Sequence, residues 1–137
     1  MSREILFKGR TKDGGNWVYG DLIHRCCGTT IGTVDSDGLH EVYVDEEIIC
    51  QYTGLTDKNG KKIWENDFLR YRHNFYKVRW DDKFSRFVAD EYTKYNGKYV
   101  VLDIHGFNCF KEIIDKFFEV IGNIFDNPEL LKEGAEE

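Results

Sequence analysis

Gln51-Tyr52-Thr53-Gly54-Leu55-Thr56-Asp57-Lys58-Asn59-Gly60-Lys61-Lys62-Ile63-Trp64-Glu65-Asn66-Asp67-Phe68-Leu69 is the stretch whose reading decides the fold. Two turn signals lie inside it, Asp57-Lys58-Asn59-Gly60 and Glu65-Asn66-Asp67, and aromatic or aliphatic residues follow each. Asn-Gly tolerates the positive φ angles of a tight hairpin turn. The pattern predicts short, half-buried antiparallel strands whose register is set by tight loops.

Towards the C-terminus, residues 68–72 and 75–80 alternate, and Asp81-Asp82-Lys83 connects to a further run at 84–89. Asn96-Gly97 is a second hairpin signal, leading into 99–102. Turns recurring about every 8–12 residues belong to a small barrel or sandwich. Residues 108–115 read as a short helix capped by Asn108, with Phe110, Ile113 and Ile114 as an apolar stripe facing the core. Residues 117–125 are too β-branched and aromatic for a helix and read as a closing strand. A terminal helix follows, with Asn127 as N-cap and Pro128 at its first position.

Towards the N-terminus, residues 5–7 open a strand, Asp13-Gly14-Gly15-Asn16 turns, and 17–23 return. Residues 26–34 are extended, with Gly28 and Gly32 marking a bulge or an edge. Asp35-Ser36-Asp37-Gly38 turns into 39–44, and 45–49 read as a turn or a brief helical segment. The fold class is mainly β (β-rich α+β). Short antiparallel strands form a barrel- or sandwich-like core, and one or two short helices lie near the C-terminus. One domain of 137 residues is expected, with N-terminal hairpins over 1–50, the barrel-like core over 51–125, and a helix and tail over 126–137. Trp17, Trp64 and Trp80 each stand in an alternating apolar pattern and are expected to be largely buried.

Hydrophobic residues make up 41% and aromatics 15%, enough to build a core and too much for a disordered chain. No apolar run reaches the roughly 18–20 residues of a membrane span. Met1-Ser2-Arg3-Glu4 leads into a patterned strand rather than a signal peptide, so the chain reads as soluble and cytoplasmic. Cys26, Cys27, Cys50 and Cys109 are then thiols of a reducing compartment. They lack the paired spacing of a zinc site, even with His24-Arg25 beside the first two.

The net charge of −6 argues against wrapping nucleic acid, but the charge is unevenly spread. Asp35, Asp37, Glu41, Asp45, Glu46 and Glu47 form an acidic stretch. Arg70, Arg72, Lys77, Arg79, Lys83 and Arg86 outnumber Asp81 and Asp82 further on. Of these, Arg70, Arg72, Lys77 and Arg79 make a candidate partner-binding basic face, with Arg70 and Arg72 on the same side of one strand. Basic strands interleaved with aromatics are how small barrels grip single-stranded nucleic acid. The cluster's acidic partner could equally be the stretch from Asp35 to Glu47, in the same chain or in a second copy.

An enzyme needs a nucleophile, an acid–base pair or a metal held in a pocket. His24, His40, His73 and His105 are scattered, and no phosphate loop or G-x-S-x-G elbow is present. Asp21, Asp57, Asp67 and Asp103 are read as caps of backbone groups at strand ends and turns. The chain therefore reads as a non-enzymatic module without cofactor or metal, which binds a protein partner or copies of itself. Nucleic-acid binding through the basic face is the alternative.

Three blocks in order resemble the YopX family of phage and prophage proteins. They are Arg3 to Arg10 with Trp17-Val18-Tyr19-Gly20-Asp21-Leu22; Gln51 to Leu55 through Asp57-Lys58-Asn59-Gly60-Lys61 to Ile63-Trp64-Glu65-Asn66-Asp67; and Glu119 to Ile124 ending in Asn127-Pro128-Glu129-Leu130-Leu131. Trp64 stands where that family commonly has Tyr, and Asn66 where it commonly has Gly. The neighbourhoods of Cys26-Cys27 and Cys109 have no counterpart in it. The resemblance implies a small β-rich fold of phage origin. It carries over no activity and no site residues.

Overall fold

A computed structural model of the protein describes residues 4–95, 98–106 and 113–133. Alternating patterns become strands β1 (Phe7–Thr11), β2 (Trp17–Arg25), β3 (Gly28–Asp35), β4 (Gly38–Thr56), β5 (Lys62–Trp64), β6 (Asp67–Tyr71), β7 (Asn74–Asp81), β8 (Arg86–Tyr95), β9 (Lys98–Gly106) and β10 (Glu119–Asn123). Two short helices are described, α1 (113–117) and α2 (Glu129–Glu133). The protein is mainly β and antiparallel. It divides into two compact units between Tyr52 and Thr53.

In the first unit β1 pairs with β2, β2 with β3, β3 with β4, and β1 pairs again with β4. The four strands thus close into a ring: Phe7 lies opposite Gly20 on one side and Gln51 on the other. The barrel-like closure expected within 51–125 is found here instead. Its enabling element is β4, which is 19 residues long and continuous through 45–49, where a turn or helix was expected. The turn propensity is still expressed, as a bulge. Gly9 pairs with Ile49 and Thr11 with Val44, so residues 45–48 bow out opposite Arg10, and the Glu47 N–H donates to Asp45 Oδ1 at 2.9 Å. Such a bulge bends a strand enough to bring its far end back to β1. Gly32 marks neither a bulge nor an edge. It lies within an unshifted β3 flanked by β2 and β4, where a Cβ would come within 2.9 Å of Ile23 Cδ1 and 3.1 Å of Leu39 Cδ1.

In the second unit β10-β6-β7-β8-β9 form an open antiparallel sheet. Leu69, Tyr76, Val78 and Ala89 pack on one face with Ile63, Ile114 and Phe118. On the other face Phe68 and Phe75 meet at 5.1 Å between ring centroids, under Ile121, Ile124, Leu130 and Leu131. Both faces are covered, which is why consecutive residues such as Phe68-Leu69 are apolar. Trp64 is buried as expected. Trp17 is half-buried, with Lys8 Nζ and the Arg10 guanidinium 4.4 and 4.6 Å from its ring. Trp80 is 41% exposed, contrary to expectation: it lies one residue from the end of β7 and meets the Phe87 ring edge-on at 5.0 Å.

The Asn59-Gly60 hairpin is wider than a two-residue turn. Asp57 N–H donates to the Lys61 carbonyl at 2.8 Å and Gly60 N–H to the Asp57 carbonyl at 3.0 Å; of Asn59 and Gly60, Gly60 alone has a positive φ, +80°. That is a three-residue loop with glycine in the left-handed position. The next turn places Asn66 at φ 74°, where a Cβ is unfavourable and Asn is among the better-tolerated residues. Replacing Asn66 by Ala is expected to lower stability by about 1 kcal/mol, and replacing it by Gly to leave it equal or higher. Urea denaturation of both variants checks this, and an alanine variant as stable as the parent would refute it.

Tyr95 and Lys98 pair on either side of Asn96-Gly97; the expected turn there lies outside the described residues, as do Asn108, Cys109 and Phe110. The closing strand is shorter than expected, because residue 117 still belongs to α1 and residues 124–126 already turn. Nor does the Asn127 side chain cap α2. Its Oδ1 accepts the Asn123 N–H at 3.2 Å, over a Gly122 whose added Cβ would lie 2.5 Å from that oxygen.

Candidate functional site

Strand alternation sets the expected basic face in the second unit. Arg70 lies opposite Phe75, and Lys77 opposite Phe68 and Asp90, so Arg70, Lys77 and Arg79 share one side of the sheet. Arg72 does not belong with them. It occupies the β6–β7 turn at φ 58°, its guanidinium 5.2 Å from the Tyr71 ring. The expectation that Arg70 and Arg72 share a strand face fails because the strand ends at Tyr71.

Arg79 is engaged within the sheet. Its Nε donates to Asp90 Oδ2 at 2.7 Å, and its Nη1 lies 3.9 Å from Asp81 Oδ1. The hydrogen bond to Asp90 raises the guanidinium pKa further above its ordinary value. Asp90 is 5% exposed, so a neighbouring strand of the same unit supplies an acidic partner for this cluster. Removing one member of a buried pair strands the other charge. Because Arg79 is a third exposed, Arg79→Met is expected to cost about 2 kcal/mol, below the range for fully buried pairs, with Asp90→Asn recovering much of it. Double-mutant denaturation measures this; two additive effects would refute the coupling.

The aspartates divide by position. Asp57 and Asp67 are buried and accept backbone N–H groups, Trp64 N–H donating to Asp67 Oδ2 at 2.8 Å, as capping predicts. Asp21 and Asp103 lie inside β2 and β9 rather than at their ends. Among the described residues no three His, Cys, Asp or Glu side chains are grouped to hold a metal ion.

A second cluster, in the first unit, went unrecognised in the sequence. Arg25 pairs with Gly28, so Cys26 and Cys27 are the two residues of the β2–β3 turn. Both are exposed, with their sulfurs 4.0 Å apart, and Cys27 Sγ lies 3.3 Å from Tyr43 Oη. The bond to Tyr43, then that to Cys26, lowers the Cys27 thiol pKa; the same contact raises that of the Tyr43 phenol. Either group can donate in this contact while both are protonated; once the thiol has ionised, only the phenol can. Arg25 Nε donates to Glu41 Oε1 at 3.0 Å and Thr30 Oγ1 to the same oxygen at 2.6 Å, and these bonds, the arginine's first, lower the Glu41 pKa. Cys27, Glu41, Val42 and Tyr43 line a shallow pocket of about 480 Å³ with Lys12 and Asp13. No motif along the chain signals it, because Cys27 and Tyr43 are brought together only by the pairing of β3 with β4.

A ring of four strands followed by an open five-stranded sheet defines a mainly β, antiparallel architecture, with no established chemistry attached to either cluster. The chain belongs to the YopX family: the family model described as YopX protein matches residues 7–132. No curated protein matches. Among solved structures, protein EF1440 from Enterococcus faecalis is similar at 21% identity and a TM-score of 0.49, over 94% of this chain and 99% of that one. Among the described residues no helix is long and apolar enough to cross a membrane.

Proposed function

We propose that this is an accessory protein of phage or prophage origin that works in the bacterial cytoplasm by binding another protein chain, rather than by catalysis. A second copy of the chain qualifies as that partner. The supporting observation is an apolar group on the β3–β4 hairpin. Val34 lies opposite Leu39 at its end, 74% and 48% exposed, and register puts Tyr43, 44% exposed, on the same side of the sheet. Contiguous exposed apolar side chains rimmed by charge mark protein interfaces.

The experiment compares the full chain with a Val34→Glu, Leu39→Glu double variant. Specific retention of one host or phage protein, or a dimer on sedimentation, that the variant loses while keeping its circular dichroism supports the reading. Binding to single-stranded oligonucleotides with a steep salt slope, lost in Arg70→Glu or Lys77→Glu, would overturn it.

A further inference from the structure

We infer that the Cys26-Cys27 turn is a thiol-exchange site for low-molecular-weight disulfides, in which Cys27 is the attacking sulfur and Cys26 the releasing one. The geometry separates the two thiols. Cys27 Sγ sits against Tyr43 Oη at 3.3 Å and lines the pocket with Lys12 and Asp13, whereas Cys26 Sγ lies 4.0 Å from it and is not part of that lining. A phenol that donates to sulfur stabilises the thiolate, and the thiolate is the nucleophile in exchange. Both sulfurs are exposed at the end of a hairpin, so an incoming disulfide meets no buried wall. Cys50, by contrast, is buried.

The electron balance is that of two successive exchanges. The Cys27 thiolate attacks one sulfur of R–S–S–R, forming a Cys27–S–S–R bond and expelling R–S⁻. Cys26 then gives its proton to solvent and attacks the Cys27 sulfur, expelling the second R–S⁻ and closing a Cys26–Cys27 disulfide. Two protein thiols are oxidised and one small disulfide is reduced to two thiols, which take up the released protons. Adjacent Cα atoms lie about 3.8 Å apart, short of the roughly 4.4–6.8 Å that a relaxed disulfide spans. The ring disulfide is therefore strained and readily reduced by excess thiol, which makes the site reversible.

The test treats the full chain, Cys26→Ser, Cys27→Ser and Tyr43→Phe with oxidised glutathione at neutral pH. Acid-quenched intact mass and peptide mapping follow the products. Cys26→Ser should accumulate one glutathione adduct on Cys27, while the unaltered chain passes through that adduct to a form lacking two hydrogens. Cys27→Ser should react at least ten-fold more slowly at this turn. Tyr43→Phe should slow the reaction several-fold and move its rate–pH profile to higher pH, a change that a merely structural tyrosine would not produce. Equal labelling of Cys26 and Cys27, or an adduct as persistent in the unaltered chain as in Cys26→Ser, overturns the assignment.

Discussion

Replacing Gly20 by alanine is expected to destabilise the N-terminal ring by about 3 kcal/mol or more, at the upper end of what overpacking costs. A Cβ at this position would lie 2.3 Å from the Gly32 carbonyl oxygen and 3.0 Å from its carbonyl carbon. These are backbone atoms, so no rotamer change relieves the clash. Nor can Gly32 retreat, because it pairs with Asp21 on one side and Glu41 on the other. Gly14 is the matched control: a Cβ there meets the side-chain end of Asn16 at 2.9 Å, which can swing into solvent. Gly14→Ala should therefore stay within about 0.5 kcal/mol of the parent, as surface substitutions do. Urea denaturation followed by Trp17 fluorescence reads both variants. A Gly20→Ala midpoint equal to that of Gly14→Ala would refute the close approach.

The second large effect is expected at Asp57. Its Oδ1 accepts the N–H groups of Asn59 and Lys61, both at 2.9 Å, and its Oδ2 accepts the Val120 N–H at 2.9 Å. The side chain is 2% exposed. One carboxylate thus organises its own hairpin and ties it to β10, while Lys58 N–H donates to the Phe118 carbonyl beside it at 2.9 Å. Asp57→Ala leaves three backbone donors without this acceptor. At roughly 1–3 kcal/mol for each buried donor, reduced where water reaches the turn, the loss should be about 4 kcal/mol. Asp57→Asn keeps one acceptor oxygen and should lose about half as much. Thermal unfolding of the two variants ranks them, and an alanine variant no worse than the asparagine one would refute the role.

The sequence displayed this fold wherever a local rule decided the outcome. Alternation located β6 and β7, and Asp57 to Gly60 located their upstream hairpin. Where two rules competed, the long-range one prevailed. Asp45-Glu46-Glu47 carries real turn chemistry, yet pairing with β1 keeps it in a strand and turns the irregularity into a bulge. Gly32 looked like a weak point of β3, although its missing side chain is what lets the Ile23 and Leu39 side chains approach. Among the basic residues, composition suggested a binding face, but which guanidinium is neutralised depends on the strand that lands beside β7, and Asp90 comes from that strand. The thiol cluster was hidden for a related reason. Cys27 and Tyr43 become neighbours only through β3, and no motif joins them along the chain.

The double pairing of β1 also sets an order of events during folding. β1, β2, β3 and β4 are joined in order by short turns, and hairpins of that kind form within about 1–10 μs. Pairing Phe7 with Gln51 must wait until almost the whole first unit is in place, because it closes a loop around the other three strands. During that interval β1 and β4 each carry an open edge able to accept a strand from another molecule. The β1–β4 seam is thus the last of the ring to form, and its closure ends the period in which one chain can lend a strand to another.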